Sequence, residues 1–193
     1  MQRNEAIEKE IERDLDKLIQ KVKCYYEIDE NSDINNSSKR IIKMFSNELL
    51  KGYYEDPKKF LKYFQSESDN VFLKIQNIPI KSLCEHHFLP MYGYADIIVK
   101  YKKGAKVLGL SKYYRIVDNF CRKFQLQEKL TQEIADFFYE NLNLEGIIVK
   151  LKCDHFCVKM RGANVETGMT TSIVAKGIFE NNFMQFIKEW IWK

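Results

Sequence analysis

The 193-residue chain predicts an α+β fold, in which N-terminal helices precede an antiparallel sheet with helices packed on one side. Three observations carry that expectation. Ile7, Ile11, Leu15, Leu18 and Val22 recur at helical spacing among charged residues. After residue 70 the pattern changes to alternation, with Val71, Leu73, Ile75 and Asn77 set against Phe72, Lys74, Gln76 and Ile78. From Ser111 to about residue 143 the helical period returns, between segments that again read as strands.

Taken in order, residues 5–22 form an amphipathic helix that needs a partner surface. The polar stretch 29–38 reads as a linker ending in a helix cap. The next helix is expected over 38–50, with Ile41, Met44, Phe45 and Leu49 on one face. Asp56-Pro57 supplies an N-cap and a first-turn proline for a short helix through Phe64. Residues 71–78 and 92–101 read as strands. Ile116, Phe120 and Phe124, then Leu130, Ile134, Phe138 and Leu142, mark the central helices. Residues 146–160 and 169–179 are strand-like, and 182–192 closes as a helix. The expected division is a helical extension and linker over 1–36 and one catalytic domain over 37–193.

Composition narrows the function classes. Hydrophobic residues make up 45% and charged residues 30%, a globular balance. The net charge of +4 comes from 31 basic residues mixed among 27 acidic ones, with no basic block to track a nucleic acid. No window approaches the run of about 18 apolar residues that spans a bilayer. The first residues turn acidic at once and do not read as a signal peptide. The expected compartment is the cytoplasm, where five cysteines serve as ligands or core residues and not as disulfides.

The chain has three histidines, His86, His87 and His155, and each lies beside a cysteine. Cys84-Glu85-His86-His87 has the spacing of a chelating turn, and His155-Phe156-Cys157 lies in an expected strand where i and i+2 share a face with Cys153. Four ligands would close a structural zinc site, whereas three leave a position open for water. Choosing Cys84, His87 and Cys157 leaves His86 and His155 free for proton transfer, as a catalytic site requires. A second cluster, Gly109-Leu110-Ser111-Lys112-Tyr113-Tyr114-Arg115, opens a helix. Ser111 is the expected N-cap there, and Lys112 and Arg115 lie one turn apart; this is an anion pocket or, read by itself, a capped helix with solvated basic residues.

These motifs occur in an order that resembles the GTP cyclohydrolase I family. They run Ser82-x-Cys84-Glu85-His86-His87-x-x-Pro90, Gly109-Leu110-Ser111-Lys112, Arg115-Ile116-Val117, Gln125-x-Gln127-Glu128-x-Leu130-Thr131, His155-x-Cys157 and Met160-Arg161-Gly162. The resemblance covers about residues 37–180. It implies hydrolysis of GTP to formate and 7,8-dihydroneopterin triphosphate, the opening step of pterin and folate synthesis. It also implies the tunnelling fold, with subunits pooled into a ring, usually a homodecamer.

Carried over by motif, Cys84, His87 and Cys157 bind Zn2+. The activated water attacks C8 of guanine, with His155 as the acid at N7 and His86 assisting later proton transfers. Glu128, helped by Gln127, holds the guanine amino and ring N–H groups. Lys112, Arg115 and Arg161 neutralise the triphosphate, Arg40 reaches it from a neighbouring subunit, and Ser111 contacts the ribose or assists the sugar rearrangement. The chain departs from the family pattern at Ser37-Ser38, where a proline is usual before Arg40, at Met91 after Pro90, at Asp96 in place of a histidine, and at Lys100–Gly104. None of these is a proposed ligand or catalytic histidine. Two competing readings are a non-catalytic zinc-bearing ring protein and an enzyme for a modified purine. Retention of His86, His155, Glu128 and the phosphate cations counts against both.

Overall fold

Asn4 starts the first helix because its side-chain oxygen accepts from the backbone N–H groups of Ala6 (3.1 Å) and Ile7 (3.3 Å). The computed structural model describes residues 4–65 and 72–180, so Val71 and the expected helix 182–192 lie outside the described residues. The chain divides into two compact units, Met1–Glu55 and Asp56–Lys193.

In the first unit, α1 (Glu5–Tyr25) carries Glu5 and Glu8 in its first turn, where they suit the helix dipole. Ile19 is buried, while Ile7, Ile11 and Leu18 stay exposed. Lys23, also buried, donates to Asn35 Oδ1 at 2.6 Å and ties α1 to the connecting turn. α2 (Ser37–Met44) is shorter than the expected 38–50. It ends in a widened turn in which the Leu50 N–H reaches Phe45 O, and its buried residues are Ser38 and Ile42.

In the second unit, Asp56 caps a single turn at Pro57–Phe60 by accepting from the Lys58 N–H at 2.8 Å. The turn stops short of Phe64, because β1 (Tyr63–Phe64) pairs antiparallel with β4 (Val107–Leu108). Between these come β2 (Phe72–Cys84) and β3 (Pro90–Tyr101). α3 (Leu110–Cys121), β5 (Phe124–Gln125) and α4 (Gln127–Asn141) follow, so a short strand interrupts the central helical stretch. β6 (Leu144–His155), the one-turn α5 (Phe156–Lys159) and β7 (Thr170–Gly177) complete the described chain. The five-stranded sheet has the order β5-β2-β3-β6-β7, antiparallel except where β5 runs parallel to the end of β2.

The two helices cover one face. Ala95, Ile97 and Val99 of β3 and Ile147, Val149 and Leu151 of β6 pack with Tyr113, Ile116 and Val117 of α3 and Leu130, Ile134 and Phe138 of α4. Among the described residues the opposite face carries a small cluster of Ile98, Ile148 and Phe179. The α+β expectation therefore stands. In β2 the simple alternation does not hold, because the pairing with β3 shifts between Ile75 and Ile78. Asn77 sits there at φ 56°, its N–H donating to Asp96 Oδ1 at 3.0 Å. The extra residue turns Ile78, Ile80, Ser82 and Cys84 to the helix-covered side, the same side as Ile75. Among the described residues no helix is long and apolar enough to cross a membrane.

A buried polar chain anchors the start of α3. Tyr101 Oη accepts from the Leu108 N–H at 2.9 Å and lies 2.7 Å from Tyr113 Oη. Replacing Tyr113 with Phe leaves a buried hydroxyl short of a partner. The expected cost is about 1–2 kcal/mol, read as a lower urea midpoint at unchanged m.

Candidate active site at the end of the sheet

The strand ladder brings Ser82, Met91 and His155 into one row at the end of β2, β3 and β6. Cys84 ends β2 on the buried side. Its N–H donates to Leu89 O and its carbonyl accepts from the Phe88 N–H, both at 2.9 Å, closing the turn that carries His86 and His87. The sulfur of Cys84 and one ring nitrogen each of His86 and His87 lie within 4.8 Å of one another. Both imidazoles are exposed, so the group opens to solvent on one side.

Cys157 reaches this group from α5 and not from a strand as expected, because β6 ends at His155. Its thiol is raised above its ordinary pKa by burial first, and then by the hydrogen-bonded thiol of Cys84. Arg161, just beyond α5, brings Nη1 to 2.6 Å from His87 Nε2; a guanidinium only donates, so His87 carries its proton on Nδ1. Cys153 shares the β6 face of His155, whereas Cys157 has left the strand. Cys153 is wholly buried in the core, and burial pushes its thiol up to about 12.

His155 is held by a side chain of α4. Gln127 is 1% exposed, and its Nε2 faces only acceptors: Leu151 O (3.3 Å), Thr170 O (3.0 Å) and Ser172 Oγ (2.9 Å). Its Oε1 is thereby turned to His155 Nε2 at 2.7 Å. Burial lowers the His155 pKa, against the opposing pull of the Glu128 and Asp154 carboxylates. Asp154 in turn pairs with Lys159 of α5.

The basic group at the start of α3 is elsewhere. Gly109, and not Ser111, is the N-cap, and it makes no side-chain capping bond. Tyr113, one turn in, touches Tyr101 at the far end of β3, whereas Phe120 O at the other end accepts from Gln125, the residue paired with Cys84. At about 1.5 Å per residue, the twelve residues of α3 hold its ends about 18 Å apart. Ser111 and Lys112 thus lie at the opposite end of α3 from the Cys–His group, with Arg115 one turn further in. A cavity of about 690 Å³ opens beside them, lined by Lys62, Phe64, Gly109, Ser111 and Lys112 among others. Burial, then Arg115 and Lys62, lowers the Lys112 pKa. Arg40 lies on α2 in the first unit.

Thiol and imidazole donors gathered beside a buried amide–histidine pair, at the end of a half-covered sheet, define an α+β enzyme. The chain belongs to the GTP cyclohydrolase I family, whose model matches residues 11–189. GTP cyclohydrolase 1 of Carboxydothermus hydrogenoformans is 38% identical over 146 residues, covering 76% of this chain and 75% of that one. The same enzyme of Acetivibrio thermocellus is 39% identical over 135 residues, covering 70% and 72%. That of Pelotomaculum thermopropionicum is 36% identical over 153 residues, covering 79% and 80%. Among solved structures, the archaeosine synthase QueF-Like in the apo form aligns with a TM-score of 0.44 at 16% identity, over 58% of this chain and 97% of that one.

The Gln127 amide fixes the His155 tautomer. Nitrogen-15 spectra are expected to show the proton of neutral His155 on Nε2, and Gln127→Ala to release that preference and lower stability by about 1–3 kcal/mol. An Nδ1–H tautomer in the unsubstituted chain would contradict the assignment.

Proposed function

We propose that the chain catalyses the zinc-dependent hydrolysis of GTP to 7,8-dihydroneopterin triphosphate and formate. One observation carries the reading: the Cys84–His86–His87 group, Cys157, and the Gln127–His155 pair all lie at one sheet end in a chain of this family. The donor set fits a zinc ion. Thiolate and imidazole are its preferred ligands: the Cys84 sulfur and a His87 ring nitrogen already lie within 4.8 Å of each other, and the Cys157 thiol is hydrogen-bonded to that of Cys84. Cys84, His87 and Cys157 would hold the ion, with His86 left beside it. Bound zinc is a Lewis acid that makes water nucleophilic near neutral pH.

The protein's own groups supply the rest. With Nε2–H engaged by Gln127, His155 moves its second proton at Nδ1, the atom proposed to serve guanine N7. Glu128, one residue from Gln127 at the start of α4, accepts from the guanine amino and ring N–H groups. His86 serves the proton transfers of ring opening. Arg161 leaves His87 to meet phosphate, and Lys112 and Arg115 neutralise the remaining charge, with Ser111 at the ribose and Arg40 at the triphosphate.

Lys112 stands in the first turn of α3 and Arg115 in the second, away from the Cys–His group at the other end, so the reading takes them from a neighbouring copy. This supports a homo-oligomeric ring built on the tunnelling fold, a decamer in the expected form. The family match crosses the break after Glu55, which supports one enzyme made of both units, whether its catalytic domain is counted from residue 37 or not. Five unpaired thiols suit a reducing compartment such as the cytoplasm.

Purified chain given GTP is expected to release formate and a pterin that fluoresces after oxidation, and a zinc chelator to abolish both. Turnover that survives complete metal removal would sink the reading. His155→Ala is expected to lower kcat about 10²- to 10⁴-fold with intact metal content. Cys84→Ala and Lys112→Ala chains, each inactive alone, are expected to recover part of the activity when assembled together. A mixture as inactive as its components would show that the two groups do not share a site between copies.

A further inference from the structure

The turn that carries His86 and His87 ends in a conformation that its sequence does not favour. Phe88 has φ 57°, in the left-handed region, at the position closing a helical turn where glycine is the usual residue. Its ring is 57% exposed, so burial does not explain the choice of side chain. What the ring does touch is Phe124 on β5, stacked with centroids 4.3 Å apart and planes 25° from parallel. β5 is also the strand that grips the other end of the turn. Leu83 and Cys84 pair with Phe124 and Gln125, and the Glu85 N–H donates to Gln125 O at 3.2 Å. The segment from Cys84 to Leu89 is thus pinned to one two-residue strand at its start by backbone bonds and at its close by a single aromatic stack.

We infer that Phe88, through its stack on Phe124, is a positioning residue that holds the Cys84–Leu89 turn in the shape that keeps the Cys84, His86 and His87 donor atoms together. The inference rests on the metal-site reading above. A bulky residue is kept in strained backbone where its surroundings over-determine it, and such strain collects at ligand clamps. Glycine at this position would relax the backbone and remove the clamp together, whereas alanine at Phe124 removes the clamp alone, so the pair of variants separates the two effects. Phe88 touches no substrate group in this account; it acts on the metal through the turn, as residues behind metal ligands do.

The test is zinc affinity of the full chain, measured by competition with a chelating dye, with Co2+ absorption as a readout of ligand geometry. Phe88→Gly and Phe124→Ala are each expected to weaken zinc binding about 10- to 100-fold and to reduce the cobalt ligand-field bands. Phe88→Tyr, which keeps the stack, is expected to bind as the unsubstituted chain does. The double variant is expected to bind no more weakly than the worse single one, since both remove the same contact. Melting temperatures with chelator present show whether each variant is folded; where Phe88→Gly is not, Phe124→Ala and Phe88→Tyr carry the comparison. Unchanged zinc binding by Phe88→Gly or Phe124→Ala, or losses that multiply in the double variant, would overturn this inference alone. Failure of the unsubstituted chain to bind zinc would overturn the metal reading, and this inference with it.

Discussion

The side chains at the end of the sheet take their direction from the ladder of β2, β3 and β6, and β2 carries one residue more than simple alternation allows. Successive residues of a strand point to opposite faces, so an extra residue at Asn77 reverses every side chain that follows. Ile78, Ile80, Ser82 and Cys84 are buried on the helix-covered side because of it. Without the bulge Cys84 would face away from α5 and its thiol could not meet that of Cys157. Asp96 holds the bulge by accepting the Asn77 N–H, and Lys150 lies 3.8 Å from the same carboxylate.

A second constraint is the satisfaction of buried polar groups around Gln127. A side-chain amide has two donors and one oxygen, and here the donors meet two backbone carbonyls and a hydroxyl from β6 and β7. Thr131 closes the same network by donating to Gln127 O at 2.7 Å and lying 2.7 Å from Ser172 Oγ. An unpaired buried donor is expensive, so the amide has one workable orientation and the oxygen left over falls to His155. Packing between α4 and the sheet thus decides which nitrogen of a histidine is available for chemistry.

The third consequence is spatial. α3 is a rigid spacer with the Cys–His group beside its last turn, Lys112 in its first and Arg115 in its second. A helix cannot be folded back on itself, so these two sets of side chains serve one substrate only if two chains meet. The amphipathic α1, with Ile7, Ile11 and Leu18 exposed, and the exposed Tyr92 and Tyr94 on the uncovered sheet face, are surfaces of the kind that assembly buries.

Local periodicity was enough to read the α+β order and most elements, because helical and strand spacing are properties of neighbouring residues. The Cys84–His86–His87 group was likewise legible, since thiol and imidazole at that spacing are the residue types that a metal site would need. Local pattern could not reveal where a strand stops. β6 ends at His155 and hands Cys157 to α5, while Phe64 leaves its expected helix to pair with Val107, because distant partners compete for the same backbone. Nor could spacing tell Cys153, sealed in the core, from Cys157 at the site; both look like strand neighbours of His155. Phe88 gave no signal either, since a left-handed phenylalanine is set by a contact with Phe124 that sequence separation hides. The residue types from which the proposed site is built belong to the sequence alone. Which face each one shows, which proton it holds and which of them meet within one chain were decided by tertiary structure, because those depend on register, buried hydrogen bonding and the length of a helix.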